Sequence, residues 1–289
     1  MRLFHADKPG STFLERAGRC FRTGPDGRMP LVGDWPVVLR EARHAGRLAL
    51  QTRHGGARLV AFTGMPEIDL RPGAERGFIR DEKGSLHCCF SRWSHAWGWL
   101  RECECCGSPG RIQIHNAAGA EFLQLAAPSR GDALLWSDYL GKLVGTPAWS
   151  DRPDVEDDQG LFTLPRLVSA NLRLPFDSEA LYLILHAFGE ECLPVRFTLR
   201  TAEVAHRRDI VPHTVFMDEM MLHAGESGAS MQLALESVAE LALTADVDGY
   251  ALHAVDANDA VVLSLSAAAH PVGAATWRGA LEAAFPGLR

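Results

Sequence analysis

Histidine and cysteine crowd one stretch of this 289-residue chain. Residues 85–99, SLHCCFSRWSHAWGW, hold two histidines, two adjacent cysteines, an arginine and three tryptophans. Imidazole and thiolate are the side chains that hold transition metals and haem iron. Strand geometry restricts what they can do here. As a single strand, the stretch turns His87, Cys89, Trp93, His95, Trp97 and Trp99 to one face. His87 and His95 then lie about 26 Å apart, too far to share an ion. Just downstream, RECECCGSPG carries Cys103, Cys105 and Cys106, weak candidates for a metal. Soft thiolates suit zinc, copper(I) or an iron–sulfur cluster. Structural zinc sites, however, pair thiols as C-x2–4-C with a second distant pair. The pair on offer, Cys88 and Cys89, points to opposite faces of a strand. Reduced thiols in an exposed, redox-sensitive loop are the plainer reading.

The chain is long enough to bury a substantial core. Apolar residues make up 47% and charged residues 22%, with 29 basic against 36 acidic side chains and a net charge of −7. That balance argues against nucleic acid as a partner, because binding it needs a concentrated basic surface. No apolar run approaches the ~20 residues that span a bilayer, and the N-terminus lacks an apolar signal core. The expectation is a cytoplasmic protein with no membrane insertion and with cysteines that are thiols.

The elements that would position these residues alternate between helix and strand. GDWPVVLREARHAG reads as a helix, capped by Asp34, with Pro36 in its first turn and Trp35, Val38, Leu39 and Ala42 on one face. RLALQTR and GARLVAFTG read as strands joined by a glycine turn. PEIDLRPGAERGFIRDEKG is polar and reads as loop, and Arg207-Arg208 as a solvated basic step. RIQIHNAAGAEFLQLA is a clear hairpin. PFDSEALYLILHAFG is a strong helix, capped by Asp177 or Ser178 and buried through Leu181, Ile184, Leu185 and Phe188. HTVFMDEMMLHAG reads as one strand with His213 and His223 on one face.

The chain also repeats itself. IQIHNAAGAEFLQL (112–125) resembles LHAVDANDAVVLSL (252–265) at an offset of 140. Upstream, SLHCCFSRWSHAWGWL can be laid on SMQLALESVAELALTA if the first copy carries about five extra residues within RECECCGSPG. Internal repeats of this kind signal duplicated supersecondary units.

These segments, in this order, resemble the HemS/ChuS/PhuS hemin-degrading-factor family. The helix running through Gly46 into Thr52-Arg53-His54 is similar to the family's helix and Thr-Arg-Asn strand. Ser91, Trp93, His95 and Ala96 fall on its Ser-His-Trp motif and the Ala-Phe that follows. Phe216, His223 and Gly225 fall on the second-half Gln-Ile-His-x-Gly stretch. The resemblance covers roughly residues 30–268. It implies an α+β fold of two tandem structural repeats, each a large antiparallel β-sheet flanked by helices, divided as 1–150 and 151–289. It also implies haem as cofactor, in trafficking or reductive degradation, with a homodimer allowed. Haem-degrading activity follows only by resemblance, because the axial histidine is replaced. The family's Asp-Leu-Arg arginine is His87 here, its histidine before tryptophan is Arg92, and a basic haem contact is Ala234. Its axial histidine, early in the first helix of the second repeat, is Glu179. His186, two turns further along that helix, could substitute or could be a half-buried structural histidine. Arg53, Arg92 and His223 complete the expected haem contacts. The competing reading is a fold that has lost haem and binds another small apolar or anionic ligand or a protein partner.

Overall fold

The computed structural model describes residues 28–31, 34–42, 48–63, 67–69, 74–99, 110–127, 133–143, 167, 170, 172–246, 249–269 and 272–285. The first half contributes β1 (Arg28–Pro30), α1 (Trp35–Ala42), β2 (Leu48–His54), β3 (Ala57–Thr63), β4 (Glu67–Asp69), β5 (Arg76–Asp81), β6 (Gly84–Cys89), β7 (Trp93–Trp99), β8 (Arg111–Asn116), β9 (Glu121–Ala126) and α2 (Ala133–Leu143). The second half contributes β10 (Leu172–Pro175), α3 (Ser178–Glu190), β11 (Val195–Arg200), β12 (Val204–Ile210), β13 (Thr214–Met217), β14 (Met221–Glu226), β15 (Ala229–Ala234), β16 (Glu240–Asp246), β17 (Gly249–Val255), β18 (Val261–Ala267) and α4 (Gly273–Ala284). The boundary expected at residue 150 lies outside the described residues.

Among the described residues these strands form two nine-stranded antiparallel sheets. Their orders are β1-β7-β8-β9-β2-β3-β15-β14-β13 and β10-β16-β17-β18-β11-β12-β6-β5-β4. Adding nine to each strand number of one order gives the other, with the last three strands exchanged. Each sheet therefore takes six strands from one half of the chain and three from the other.

The repeat is visible down to single hydrogen bonds. Asn116 Oδ1 accepts from the backbone N–H groups of Ala118 and Ala120 at 3.1 and 3.0 Å, and Asp256 Oδ1 accepts from Asn258 and Ala260 at 2.8 and 2.9 Å. Both are Asx turns. Each turn also needs one left-handed residue, Gly119 in the first copy and Asp259 in the second. The 140-residue offset holds at each of these positions.

The stretch 85–99 is not one strand. A 3-10 turn at Phe90–Arg92 breaks it, and the chain passes from the second sheet (β6) into the first (β7). The equivalent turn, Leu235–Ser237, does the same between β15 and β16, at the upstream alignment's offset of 145. The offset then falls from 145 to 140 between β7 and β8, where the five extra residues were expected. The other revisions have similar causes. HTVFMDEMMLHAG is a hairpin, β13–β14, turned where Asp218 Oδ1 accepts from the N–H groups of Met220 and Met221. The polar run 66–84 contains β4 and β5; β5 pairs with β6 and β4, and β4 is the sheet edge. Arg207 and Arg208 belong to β12, and Arg208 is buried against Asp81, which accepts from its Nη1 at 2.5 Å through both oxygens.

The core lies between the sheets and under the helices. α1 and α2 cover β7–β9 and β2 through Trp35, Val38, Leu39, Trp136 and Leu140. α3 packs on β13 and β14 of the first sheet and against α4, and α4 packs on β17 and β18 of the second, through Leu181, Leu185, Phe188, Trp277 and Leu281. At the sheet-on-sheet contact, Thr52 Oγ1 meets His206 Nδ1 at 2.9 Å, both fully buried.

Candidate functional site

The sheet faces turned away from this core carry the chemistry. Antiparallel partners point their side chains to the same face. On the second sheet, one transverse row runs Asp69 (β4), Phe78 (β5), His87 (β6), Ala205 (β12) and Arg200 (β11). The next row runs Glu67, Arg80, Ser85, Arg207 and Thr198. His87 is half-buried, with its ring 5.9 Å from the Phe78 ring. The Arg80 guanidinium lies over Phe78, 5.0 Å from its centroid. Burial first, then the nearby charges of Arg207 and Arg80, hold the His87 pKa below its ordinary value. The imidazole is therefore neutral at pH 7 and keeps a lone pair for a ligand. Arg80 and Arg207 are exposed. Beside them a hollow of about 610 Å³ is lined by Glu67, Arg80, Asp81, Glu82, Lys83 and Arg208.

A tetrapyrrole carrying iron and carboxylates needs a neutral imidazole or comparable ligand, cations and an apolar wall. His87, Arg80 with Arg207, and Phe78 meet those three needs on one face. Those residues could hold the group.

It does not fit at Glu179. That carboxylate is exposed in the first turn of α3, where Asp177 caps the helix by accepting from the Ala180 N–H at 3.0 Å. Two hollows of about 620 and 410 Å³ share Asp177, Glu179 and Ala284. Among the described residues neither has a basic or imidazole side chain in its lining, so both acidic residues would oppose haem carboxylates. His186 is exposed on α3, outside both linings. Its Nδ1 is 3.8 Å from Glu190 Oε2 and its ring 5.7 Å from that of Tyr182.

The remaining expected residues are separated. Arg92 lies in the 3-10 turn between the sheets, half-buried. Arg53 and His223 share the outer face of the first sheet, Arg53 with its Nε 3.7 Å from Glu121 Oε1 and His223 stacked on Phe216 with centroids 4.6 Å apart. His87 is on the other sheet. Ala234 ends β15. Cys103, Cys105 and Cys106 lie outside the described residues, and among the described residues no group of three His, Cys, Asp or Glu could hold a metal. Cys88 is buried, and burial raises its thiol pKa well above the ordinary value. Phe78 and Arg80 escaped sequence reasoning, which read Arg207 only as part of a solvated basic step. The alternation in RGFIRD, which buries Ile79 alone, was the available signal.

No family profile matches the chain, and no curated protein matches it in sequence. Solved structures do match. The chain has the HemS/ChuS/PhuS-type fold. The holo form of PhuS, a haem-binding protein from Pseudomonas aeruginosa, aligns with a TM-score of 0.70 at 16% identity, over 89% of this chain and 86% of that one. The haem-degrading enzyme ChuS from Escherichia coli O157:H7 aligns with a TM-score of 0.71 at 16% identity, over 95% of this chain and 94% of that one. No helix among the described residues is long and apolar enough to cross a membrane.

Proposed function

We propose that the chain binds haem on the outer face of the second sheet, with His87 as the nitrogen ligand, and serves haem trafficking or reductive breakdown in the cytoplasm. The observation that carries this reading is the half-buried, neutral imidazole of His87 beside Phe78, with the cations Arg80 and Arg207 in the adjacent row. In the family pattern an arginine stands at this position, so haem contact is kept while its chemistry changes. Bound haem would supply the iron redox and oxygen chemistry. His87 would hold the metal, Arg80 and Arg207 would receive the carboxylates, and Phe78 would form an apolar wall.

Titration with hemin tests this. The expected result is a saturable Soret band that His87→Ala abolishes or weakens at least tenfold. Glu179→Gln and His186→Ala leave it unchanged. Loss of the band in either helix variant, with His87→Ala unaffected, would overturn the reading. Glu179 itself favours a second reading, in which the fold takes a non-haem apolar or anionic ligand. Iron-free protoporphyrin IX separates the two: if it binds as tightly as hemin, and His87→Ala changes neither, iron ligation plays no part.

A further inference from the structure

The second sheet carries on its outer face a transverse row of hydrogen-bond donors that the first sheet lacks. Beside the His87 row, Arg80 (β5), Ser85 (β6), Arg207 (β12), Thr198 (β11) and Ser264 (β18) follow one another, one residue per strand. The equivalent row of the first sheet runs Gly225, Ser230, Val60, Gln51 and Gln124. Arg207 thus stands where the other copy has Val60, and Arg80 where it has Gly225. Two cations distinguish this row from its copy, and the serine between them is common to both.

Three further observations suit the row to an anion. Arg207 is exposed, and among the described residues neither its guanidinium nor the hydroxyls of Ser85 and Thr198 on either side make a hydrogen bond or ion pair. The next outward carboxylate along β12, Asp209, is already taken: Arg196 holds it through Nε and Nη2 at 2.8 and 2.9 Å. Glu67 neighbours Arg80 at the sheet edge, so the uncompensated charge of the row falls at Arg207. The local field is positive, since Arg207 and Arg80 add to burial in holding the His87 pKa down.

Length selects among anions. Ser85 and Thr198 flank Arg207 in register, two strand spacings or roughly 9.6 Å apart. A hydrogen bond of roughly 2.7 Å at each end leaves roughly 4 Å for the ligand's own oxygens. That is more than the edge of one tetrahedral phosphate and within the reach of two phosphoryl groups joined through an oxygen. Arg207 stands midway, where its planar fork can donate to both groups at once. Serine and threonine hydroxyls can donate to the oxygens at either end. We propose that this row binds a diphosphate, laid across β6, β12 and β11 with Arg207 at its middle and Ser85 and Thr198 at its ends. The site goes beyond the haem reading: it shares Arg207 with that reading and needs neither His87 nor iron.

Calorimetric titration of the full chain with inorganic pyrophosphate, orthophosphate and sulfate at matched ionic strength tests this. Pyrophosphate saturates at one equivalent and binds about tenfold more tightly than either single anion. Arg207→Gln, a change at an exposed side chain that leaves the fold intact, weakens it about tenfold, and Ser85→Ala and Thr198→Val about threefold each. His87→Ala leaves it unchanged. ADP, titrated alongside, binds with the same dependence on Arg207 if the row takes an organic diphosphate, and not at all if it takes the free anion; both results support the diphosphate. Orthophosphate binding as tightly as pyrophosphate overturns the proposal, as does an Arg207→Gln variant that binds like wild type. A chain that takes hemin through His87 and no pyrophosphate loses this site and keeps the haem reading. One that takes pyrophosphate through Arg207 and no hemin does the reverse.

Discussion

The meanders β4–β6 and β13–β15 occupy equivalent edges of the two sheets, and each is lent by one half of the chain to the sheet of the other. Their backbones match, turn for turn. Their outward side chains do not: one presents Asp69, Phe78 and His87, the other Phe216, His223 and Gln232. The six-strand portions differ in the same way. A single row reads Trp97, Gln113, Gln124 and Gln51 on the first sheet, and Ala242, His253, Ser264 and Thr198 on the second. In the second, His253 is locked between Thr244 and Ser264 at 2.8 Å each. Duplication fixed the ladder, which depends on backbone pairing and an apolar inner face. The outer face lies apart from that shared core, with local contacts of its own such as those that bury Ala242 and His253, and it carries different chemistry on each sheet.

The crossover between the sheets should show the largest asymmetry. Trp93 follows the first 3-10 turn and is 1% exposed. Its ring packs against Phe90, Phe122 and Trp35 at 4.9, 5.4 and 5.9 Å, and its indole N–H donates to the Glu203 carbonyl at 3.1 Å. The equivalent residue in the second crossover is Val238. Trp93→Ala is expected to cost about 3–5 kcal/mol in denaturant unfolding, and Val238→Ala much less. Equal costs would mean that the two crossovers are anchored alike.

Arg208 comes next. It ties β12 to Asp81 on the exchanged strand β5, whereas the position 147 residues earlier is Ala61. Arg208→Ala strands Asp81, so the loss falls toward the lower end of the ~3–5 kcal/mol of a broken buried pair, because Asp81 keeps 23% of its side chain exposed. An unchanged unfolding midpoint would show that the exchange needs no ionic tie.

A pH effect should follow from the sheet-on-sheet contact. His206 faces Thr52 there, where the repeat equivalents are Leu59 and Leu199. Burial chiefly, then the charge of Arg208, lowers the His206 pKa to about 3, with Asp81 opposing. The native state thus holds no proton on this ring above about pH 3, while the unfolded chain gains one below its ordinary 6.5. Stability contributed by the neutral ring is full above pH 6.5 and is lost as pH falls from there toward 3. The slope approaches about 1.4 kcal/mol per pH unit. Urea titrations between pH 7 and 4 should show it in wild type and show it flattened in His206→Leu, which restores the leucine of the other copy. An equal slope in both would place the titration elsewhere.

Much of the ladder was legible in the residues, because one-sided burial writes itself as alternation and turns as Asn, Asp or Gly. IQIHNAAGAEFLQL and its copy carried both signals. The 3-10 turn at Phe90–Arg92 did not, since Phe90 and Trp93 are as apolar as strand residues and the break depends on a partner sheet distant in sequence. The strand exchange was illegible for the same reason: β6 pairs with β12, over a hundred residues away. β5 looked like loop because its outward residues, Arg76, Phe78 and Arg80, serve the outer face and only Ile79 is buried. Of the site, His87, Arg53 and His223 were found by resemblance. Which of them share a face required the sheet order.

The smallest contrast concerns the two helix caps. Asp34 and Asp177 begin α1 and α3, the equivalent helices of the two halves. Asp177 Oδ1 accepts from the Ala180 N–H at 3.0 Å, while Asp34 Oδ1 lies 3.4 Å from the Val37 N–H. A well-made cap is worth about 1 kcal/mol, and hydrogen bonds weaken as they lengthen. Asp177→Ala should therefore lower stability by about 1 kcal/mol, and Asp34→Ala by a few tenths. α1 has little need of the cap: its eight residues bury Trp35, Pro36, Val38, Leu39 and Ala42, so packing fixes its start. α3 carries the exposed Glu179 in its first turn beside two hollows, and there the cap adds to the burial of Ala180 and Leu181. A larger loss for Asp34→Ala would reverse this assignment and make the acidic first turn of α3 a place held by its surroundings rather than by Asp177.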